Sequence, residues 1–298
     1  MSDSLHTSNL FNVAGYWVAI TGGASGIGRM LARGFTANGA NTILIDIDEK
    51  ALLDAKIELE AITSSSPTTV ITICGDLSTE DGVASIVDKV QTSLKGLSAD
   101  PVLDVLIHCA AVRHVNTVTY QPGESLQKLQ DATLSCSYAG WEQTFRVNVL
   151  APYYLTAGLI NLLGTAAARG GPDGRGNVIL FSSPASVHNN QFVPTYQTSK
   201  AAVDHLVRIL AAEFADYYIR VNAMSPGIVP SGMTLSGAEG GNLDLAVDAP
   251  AGRAGGAGDM VGTAIWLASK AGAFMDGKVV RVEGGRLLIL KGVTANSD

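Results

Sequence analysis

The sequence predicts an α/β fold: one doubly wound domain, a seven-stranded parallel sheet with helices on both faces. Short apolar segments of strand length alternate with longer helical patterns, as successive βαβ units require. Several strand segments are near-continuous apolar runs, which suits a parallel sheet buried on both faces. Neither an internal repeat nor a linker divides the 298 residues. We therefore expect a single domain over 1–298, with its core at about 14–288.

The predicted strands share runs of Val, Ile, Leu and Ala. In chain order they are Tyr16–Thr21, Asn41–Asp46, Val70–Cys74, Val102–Cys109, Asn177–Ser182, Ile219–Met224 and Lys278–Val282. The predicted helices lie between these strands and are Ile27–Asn38, Glu49–Ala61, Thr79–Leu94, Tyr138–Ala168, Tyr196–Asp216 and Asp259–Ser269. This alternation implies right-handed crossovers between neighbouring parallel strands.

Three segments break the alternation. Arg113–Ser137 is a long stretch between the fourth strand and the next helix, and Gly170–Gly176 is a turn-rich surface loop. Pro226–Gly258 is rich in Gly, Ala and Pro. Because long loops without regular structure are usually functional or disordered, we take Pro226–Gly258 as a candidate substrate loop.

The composition excludes several classes of protein. Hydrophobic residues make up 47% of the chain and charged residues 16%, so a large core can be buried. The net charge is −7 and no basic run reaches five residues, which argues against a nucleic-acid surface. Cys74, Cys109 and Cys136 form no C-x-x-C pair, so we expect neither a metal site nor a disulfide framework.

The chain carries no predicted targeting or membrane segment. Its first six residues lack the basic and apolar regions of a secretory signal. Apolar runs such as Val102–Val112 are too short to cross a membrane and contain Asp104 and His108. We expect a soluble, cytoplasmic protein.

A glycine-rich motif follows the first strand. Such a turn lets backbone N–H groups approach a pyrophosphate at the positive end of the next helix. The motif residues expected at a dinucleotide are Thr21, Gly22, Ser25, Gly26, Ile27 and Gly28. A glycine-rich turn without a ligand is the alternative, but its place after the first strand of an α/β chain favours a nucleotide site.

Asp46 ends the second strand, eighteen residues after Gly28. An acidic residue there is expected to accept hydrogen bonds from the adenosine ribose hydroxyls. Its charge would repel a 2′-phosphate, and neither arginine nor lysine stands beside it, so we favour NAD(H) over NADP(H). The alternative is a helix N-cap, a role that Asp48 could take.

Tyr196 and Lys200 are four residues apart and therefore lie on one face of a helix. A tyrosine with a pKa near 10 is a poor acid–base group at neutral pH, and a nearby ammonium group would favour its phenolate. Two unrelated surface residues would show the same spacing. The fifth strand, however, leads into Ser183, thirteen residues before Tyr196, where a hydroxyl could hold a substrate oxygen. Asn148 lies in a helix interior, where its amide needs a partner such as a bound water linked to Lys200, unless it is exposed or marks a kink.

Together these motifs resemble the short-chain dehydrogenase/reductase family, a single-domain Rossmann type, over about residues 14–288. Thr21–Gly28 is similar to the family's T-G-x-x-x-G-x-G motif. Asn148, Ser183, Tyr196 and Lys200 are similar to its Asn-Ser-Tyr-Lys tetrad, and Val282–Gly285 to its closing V-D-G-G. The resemblance implies further cofactor contacts at Asp76, Leu77, Ala110, Pro226, Gly227, Ile228 and Ser231.

The resemblance implies a hydride transfer between a nicotinamide cofactor and a ketone or secondary alcohol. Tyr196 would pass the proton to or from the substrate oxygen, and Lys200 would bind the cofactor ribose and lower the pKa of that tyrosine. Asn148 would retain a water linking this pair to solvent. The backbone of Ile228 would hold the nicotinamide carboxamide, and Ser231 would stand in for the usual threonine.

Two departures from the family pattern bear on the site. His108-Cys109-Ala110-Ala111 replaces the usual Asn-Asn-Ala-Gly after the fourth strand. His108 either substitutes for the first asparagine or marks a reshaped site, and Ala111 fills space near the cofactor ribose. Arg113–Ser137 is longer than is usual at this junction and is expected to cover or border the substrate cleft, or to reach a neighbouring subunit.

A looser resemblance to 3-oxoacyl and rhamnolipid-pathway reductases implies an acyl, polyketide-like or other natural-product substrate. Apolar loop residues could line such a pocket or simply pack a lid helix; they are Met233, Leu235, Leu243, Leu245 and Val247. Two other functions stay open: a non-redox isomerase or cyclase on this fold, and a binding protein that senses a dinucleotide. The family resemblance also implies a homodimer or homotetramer.

Overall fold

A computed structural model of the chain describes residues 5–62, 67–191, 193–235 and 241–292. Outside this part of the chain lie residues 1–4, where a secretory signal would begin, and residues 236–240 of the candidate substrate loop. All seven predicted strands and all six predicted helices are present within a few residues of their expected ends.

Seven parallel strands form one sheet in the order β3-β2-β1-β4-β5-β6-β7. The strands are β1 Trp17–Thr21, β2 Asn41–Asp46, β3 Val70–Cys74, β4 Val105–His108, β5 Asn177–Phe181, β6 Arg220–Pro226 and β7 Val279–Val282. The helices are α1 Thr7–Leu10, α2 Gly26–Ala37, α3 Glu49–Glu60, α4 Glu80–Leu97, α5 Leu126–Leu134, α6 Tyr138–Phe145, α7 Ala151–Gly170, α8 Pro194–Phe214 and α9 Ala257–Ala268. This architecture confirms the predicted fold class.

Alternate residues of each strand enter two separate cores because successive side chains point to opposite faces of a sheet. In β2, Ile43 and Ile45 pack with α4, α7 and α8, whereas Leu44 packs with α2, α3 and α9. All three side chains are fully buried. The sheet is thus covered on both faces, which explains why its strands are near-continuous apolar runs.

Polar side chains fix where several helices begin. The Asp48 carboxylate accepts a hydrogen bond from Ala51 N at the start of α3, and the Thr79 hydroxyl accepts one from Gly82 N at the start of α4. Each cap satisfies a backbone N–H that has no partner inside the helix. Asp48 therefore has the capping role considered above.

The helix predicted over Tyr138–Ala168 is interrupted. α6 ends at Phe145, a π-helical turn covers Arg146–Leu150, and α7 continues from Ala151. Single π turns inside α-helices mark functional sites frequently, and this one contains Asn148.

The continuous helical run Tyr138–Gly170 is long and apolar enough, by length and composition, to cross a membrane. The expectation that nothing spans a membrane was argued from shorter apolar runs than this one. In the fold its inward face, which includes Leu155, Leu159 and Leu163, is buried against the sheet. The run is accordingly a core helix of the α/β domain whose outward face is also apolar.

Arg113–Ser137 is not wholly irregular. It contains α5, whose first turn is capped by the Ser125 hydroxyl, which accepts a hydrogen bond from Lys128 N. The Asn116 side chain donates to Ala132 O at 2.7 Å and so fastens the start of the segment to this helix.

Candidate active site

A cavity of about 530 Å³ runs along the carboxyl ends of the central strands. It extends from Asp46 at the end of β2, past the loop between β1 and α2, to α8 and the loop after β6. The strand order reverses between β1 and β4, and ligands of open α/β sheets bind at such a point. The cavity therefore lies where the fold offers a nucleotide site.

The glycine loop forms one wall of this cavity. The predicted residues that line it are Gly22, Ser25, Gly26, Ile27 and Gly28. Gly22 and Gly26 have φ values of +65° and +48°, which favour glycine, and a Cβ on Gly28 would lie 2.1 Å from Gly22 O. Since α2 begins at Gly26, its unsatisfied N–H groups and the bare loop make a cradle that fits a pyrophosphate.

Thr21 is buried and does not line the cavity, although it was predicted to contact the cofactor. Its hydroxyl accepts a hydrogen bond from Ala110 N at 3.2 Å. The side chain therefore joins the end of β1 to the segment after β4, and Ala110, rather than Thr21, faces the cavity.

Two acidic residues lie at the end of the cavity nearest β2 and β3. The Asp46 carboxylate accepts hydrogen bonds from Ala24 N at 3.2 Å and Ile47 N at 2.8 Å, so it also braces the glycine loop. Asp76 and Leu77 line the same end, and the Asp76 carboxylate accepts from Ser78 N at 2.8 Å. This is the end that an adenosine would occupy.

Ser183, Tyr196 and Lys200 meet at the other end of the cavity. Tyr196 and Ser183 both line the cavity, and the Ser183 hydroxyl lowers the pKa of the phenol. The Lys200 ammonium donates to Phe181 O at 2.6 Å and lies 5.5 Å from the centroid of the Tyr196 ring. A phenol, a hydroxyl and an ammonium thus converge where a substrate oxygen could sit.

The pKa values of this pair are governed mainly by burial. Burial raises the pKa of Tyr196, whereas the Ser183 hydroxyl and the positive charge of Arg113 act in the opposite direction. Burial also lowers the pKa of Lys200 to about 8. The expected lowering of the tyrosine pKa by Lys200 is not what this structure shows, because desolvation outweighs the nearby charges.

Asn148 is buried in the π turn and does not line the cavity. Its amide oxygen accepts from Val112 N at 2.9 Å, and its amide nitrogen lies 3.0 Å from both Val112 O and Ser199 Oγ. The Asn148 side chain is therefore bonded to protein groups of two different segments. Asn148 holds the segment after β4 against α8.

His108 bridges β4 to α7 rather than to a neighbouring strand. Its Nε2 lies 2.8 Å from Thr156 Oγ1, and burial lowers the pKa of its imidazole to about 3, so the ring is neutral. Next to it, Cys109, Ala110 and Ala111 line the cavity. Burial raises the pKa of the Cys109 thiol to about 12, which keeps it protonated and unreactive.

The segment after β6 closes the cavity from the opposite side. Pro226 is the last residue of β6, and Gly227, Ile228 and Ser231 follow it along the wall. A Cβ on Gly227 would lie 2.8 Å from Glu283 Cα, so the close approach to the turn after β7 requires glycine here. Within the segment after β6, Ser231 N donates a hydrogen bond to the Thr234 hydroxyl at 2.9 Å.

Only one of the five apolar loop residues expected in the substrate pocket lines the cavity. That residue is Met233. Leu235, Leu245 and Val247 are instead 48%, 47% and 66% exposed, so they do not form an apolar lining. These three side chains of the loop face solvent, whereas Ile228, Val229 and Met233 line the cavity.

Several polar residues of the cavity wall were not predicted. They are Arg113, Gln143, Gln191 and Asn242. The sequence could have indicated Arg113 as a cavity residue, because Arg113 directly follows the segment that leaves the carboxyl end of β4. The other three come from separate elements and carry no common motif. Among the described residues, no group of three or more His, Cys, Asp or Glu could hold a metal ion.

Comparison with known proteins identifies the family of this site. Residues 22–286 match a family model described as enoyl-(acyl carrier protein) reductase. The chain is 32% identical over 296 residues to the short-chain dehydrogenase/reductase PhomF of Diaporthe leptostromiformis, covering 97% of each chain. It is 32% identical over 281 residues to the rhamnolipids biosynthesis 3-oxoacyl-[acyl-carrier-protein] reductase of Pseudomonas aeruginosa, covering 92% of this chain and 97% of the relative.

A solved structure agrees with these sequence relatives. The active-site complex of Pseudomonas aeruginosa RhlG with NADP has a TM-score of 0.76 and 30% identity to this chain, covering 93% of it and 98% of the other. The chain is a nicotinamide-dependent oxidoreductase that acts on a ketone or secondary alcohol of a small-molecule substrate. It belongs to the short-chain dehydrogenase/reductase family.

Proposed function

We propose that Tyr196 is the general acid and base of this oxidoreductase and that Ser183 and Lys200 act with it. One observation carries the assignment: Tyr196, Ser183 and Lys200 line one cavity, whose other end is formed by the glycine loop, and Lys200 lies one helical turn from Tyr196. Acid–base catalysis requires such groups within reach of one substrate.

Bound along this cavity, a nicotinamide cofactor supplies or takes up the hydride. In the reducing direction the Ser183 hydroxyl holds the substrate carbonyl oxygen, and Tyr196 gives that oxygen its proton as the carbonyl carbon gains the hydride. In the oxidising direction Tyr196 takes the proton from the alcohol. Lys200, with a pKa of about 8, is mostly charged at neutral pH and stabilises the phenolate left behind. Asn148 is a positioning residue that orders Val112 and α8.

Substitution of the phenol tests this assignment. With a panel of ketones and alcohols, Tyr196→Phe should lower kcat by about 100-fold or more, the usual contribution of a positioned acid–base group. Cofactor binding, followed by fluorescence, should persist because the substitution removes only one hydroxyl. Tyr217→Phe, on a tyrosine that is 65% exposed, is the matched control and should retain activity. An active Tyr196→Phe enzyme would refute the role.

The same assay separates the two other functions considered. Product formation without net change in the reduced cofactor would indicate an isomerase or cyclase, and tight cofactor binding without any turnover would indicate a dinucleotide sensor. The intact set of Ser183, Tyr196 and Lys200 in one cavity favours the redox reaction, since neither alternative needs all three.

We infer a preference for NAD(H) over NADP(H). The cations that line the described cavity, Arg113 and Lys200, are both at the reacting end, whereas Asp46 and Asp76 occupy the adenosine end. A 2′-phosphate there would face a carboxylate, which costs binding energy. The related Pseudomonas protein forms a complex with NADP, so a preference for NAD(H) is not common to all relatives. Comparing kcat/KM for NADH and NADPH tests the preference of this enzyme. Better use of NADPH would contradict the inference.

We propose that the substrate is a natural-product ketone or alcohol, that the enzyme serves secondary metabolism and that it works in the cytoplasm. The rhamnolipid-biosynthesis relative supports a biosynthetic substrate. Leu235, Leu245 and Val247 are exposed and outside the cavity wall, so the acyl part of the proposal rests on this relative. We also propose a homodimer or homotetramer, since Leu150, Tyr153 and Tyr154 expose an apolar face beside α7.

A further inference from the structure

In the described wall of the cavity, the positive charges lie at the reacting end. Arg113 and Lys200 are the cations of its described wall, and the carboxylates of that wall, Asp46 and Asp76, lie at the far end beside β2 and β3. A neutral ketone needs no cation beyond the lysine that serves the tyrosine. Arg113 is the second cation of this wall, and its placement shows what it can bind.

Arg113 is held in place from both sides of the cavity. The backbone of the preceding residue, Val112, makes two hydrogen bonds with the buried Asn148 side chain. Val112 N donates to Asn148 Oδ1, and Asn148 Nδ2 donates to Val112 O. Its own guanidinium donates from Nη2 to Met233 O at 2.9 Å, across the cavity on the loop after β6. The group is close enough to Tyr196 for its charge to lower the pKa of the phenol. The guanidinium thus shares one cavity with Ser183 and Tyr196.

Lys200 and Arg113 differ in what they can bind. The Lys200 ammonium is buried and donates to Phe181 O beneath the tyrosine ring. Arg113 is only partly buried, and a guanidinium is the side chain whose planar donor geometry matches a carboxylate. Of the two cations, Arg113 is the one suited to contact a substrate anion.

A second polar group faces the same region. Asn242 lines the cavity, and its backbone N–H donates to Thr234 O, one residue after Met233. Among the described residues no donor reaches its buried side-chain oxygen Oδ1. A buried acceptor of this kind costs free energy unless a ligand supplies a donor, such as a hydroxyl group.

We propose that the substrate is a keto acid, or the matching hydroxy acid, whose carboxylate is bound by Arg113 next to Ser183 and Tyr196. Asn242 accepts a hydrogen bond from a hydroxyl of the same molecule. The inference rests on the proposed function and deepens it. The carboxylate is unchanged by the reaction; the hydride adds to the carbonyl carbon, and the phenol of Tyr196 supplies the proton to its oxygen.

Paired substrates test the proposal on the wild-type enzyme. The probes are 2-, 3-, 4- and 5-oxohexanoate and the corresponding amides, which keep the shape of each acid but remove its charge. At one or more positions of the ketone, kcat/KM for the acid should exceed that for its amide by about 10- to 100-fold, the range of charge-assisted hydrogen bonds. Equal use of acids and amides, or a preference for the amides, would overturn the proposal.

The Arg113→Met variant identifies the residue responsible. The ratio of kcat/KM for acid over amide should fall by at least about 10-fold, and Arg113→Lys should restore part of it because the charge returns without the planar fork. Arg146→Met, which removes an exposed positive charge outside the cavity wall, is the matched control and should leave the ratio unchanged.

The outcomes separate this proposal from the proposed function. A parallel loss for acids and amides in Arg113→Met would mean that Arg113 only positions the loop, and the carboxylate proposal would fall. Turnover of neutral ketones alone would overturn the keto-acid assignment and leave the oxidoreductase intact. An active Tyr196→Phe enzyme would remove the proposed role of Tyr196, on which the carboxylate proposal also rests.

Discussion

His108 shows how one side chain can substitute for the usual residue of its family without becoming reactive. The imidazole is buried between β4 and α7, with Nε2 at 2.8 Å from Thr156 Oγ1. Burial lowers its pKa to about 3, so the folded protein holds the neutral ring at any ordinary pH. The unfolded chain binds a proton at this residue below about pH 6.5, and folding must then release it.

This difference predicts a pH-dependent contribution to stability. Because the folded pKa is lowered, the contribution of His108 is complete above pH 6.5 and is lost as the pH falls toward 3. When the pH is lowered from 7.5 to 5.5, the loss of this contribution should reduce the free energy of unfolding by about 1.4 kcal/mol. Urea unfolding of the wild type and of His108→Asn at both pH values measures it.

The quantity to compare is the difference in free energy of unfolding between the wild type and His108→Asn at each pH. The other histidines are common to both proteins, so their effects cancel in this difference. A smaller polar side chain also leaves space near Thr156, so His108→Asn should be less stable at pH 7.5. At pH 5.5 the gap should narrow by about 1.4 kcal/mol. A gap that is the same at both pH values would show that His108 is protonated in the folded state.

Residues that one motif places together were predictable from the sequence. Tyr196 and Lys200 share a helix face, and Gly22, Gly26 and Gly28 belong to one motif at the junction of β1 and α2, so local spacing alone brings them to the site. Arg113 and Asn242 come from segments more than a hundred residues apart and meet only in the folded protein. Burial of Tyr196 is likewise a tertiary effect, which explains why the direction of its pKa shift was mispredicted.

At the scale of elements, sequence periodicity predicted the strands and helices but not the irregularities that shape the site. A π turn repeats nearly the same apolar pattern as an α-helix, so Arg146–Leu150 could not be distinguished from its neighbours. α5 is short and mostly exposed, and its weak pattern left Arg113–Ser137 without an assigned helix. The strands were predictable because burial on both faces demands apolar residues throughout.

The junction of the glycine loop and α2 supports an element-scale prediction. A Cβ at Gly28 would lie 2.1 Å from Gly22 O and 2.7 Å from Gly22 C, both of them backbone atoms that cannot swing aside. Gly28→Ala should therefore displace the loop, raise the cofactor Kd by about 10-fold or more and lower the free energy of unfolding by about 1–3 kcal/mol. Fluorescence titration and urea unfolding measure the two effects.

Gly262→Ala on α9 is the matched control for this substitution. Gly262 is exposed in a helix, and a Cβ there meets nothing within 4 Å. Alanine should stabilise the protein by up to about 1 kcal/mol, through helix propensity, and leave cofactor binding unchanged. If Gly28→Ala bound the cofactor as tightly as Gly262→Ala, the loop would not be the close-fitting cradle inferred here.

At the scale of the whole molecule, the cavity and the exposed apolar side chains lie on different surfaces. The cavity opens along the carboxyl ends of the strands, whereas α7 and α8 cover one face of the sheet. Their outward sides carry Tyr154 and Ile209, which are 57% and 43% exposed. The end of the sheet near β7 exposes Phe274 completely. Two separate apolar surfaces are consistent with either a dimer or a tetramer.

The face formed by α7 and α8 is predicted to be a subunit interface. Sedimentation equilibrium at micromolar concentration should show wild-type dimers or tetramers. The double variant Tyr154→Glu, Ile209→Glu would place carboxylates in that interface, where unpaired charges are costly to desolvate, and should raise the Kd of that contact by about 100-fold or more. The particle mass should therefore fall by half.

Phe274→Ser tests the second surface with the same measurement. If the wild type is a tetramer, Phe274→Ser and the double variant should each yield dimers, because each substitution breaks one of two different contacts. If the wild type is a dimer through α7 and α8, Phe274→Ser should leave its mass unchanged while the double variant becomes monomeric. A monomeric wild type, or a double variant of unaltered mass that melts as the wild type does, would show that the exposed face of α7 and α8 does not join subunits.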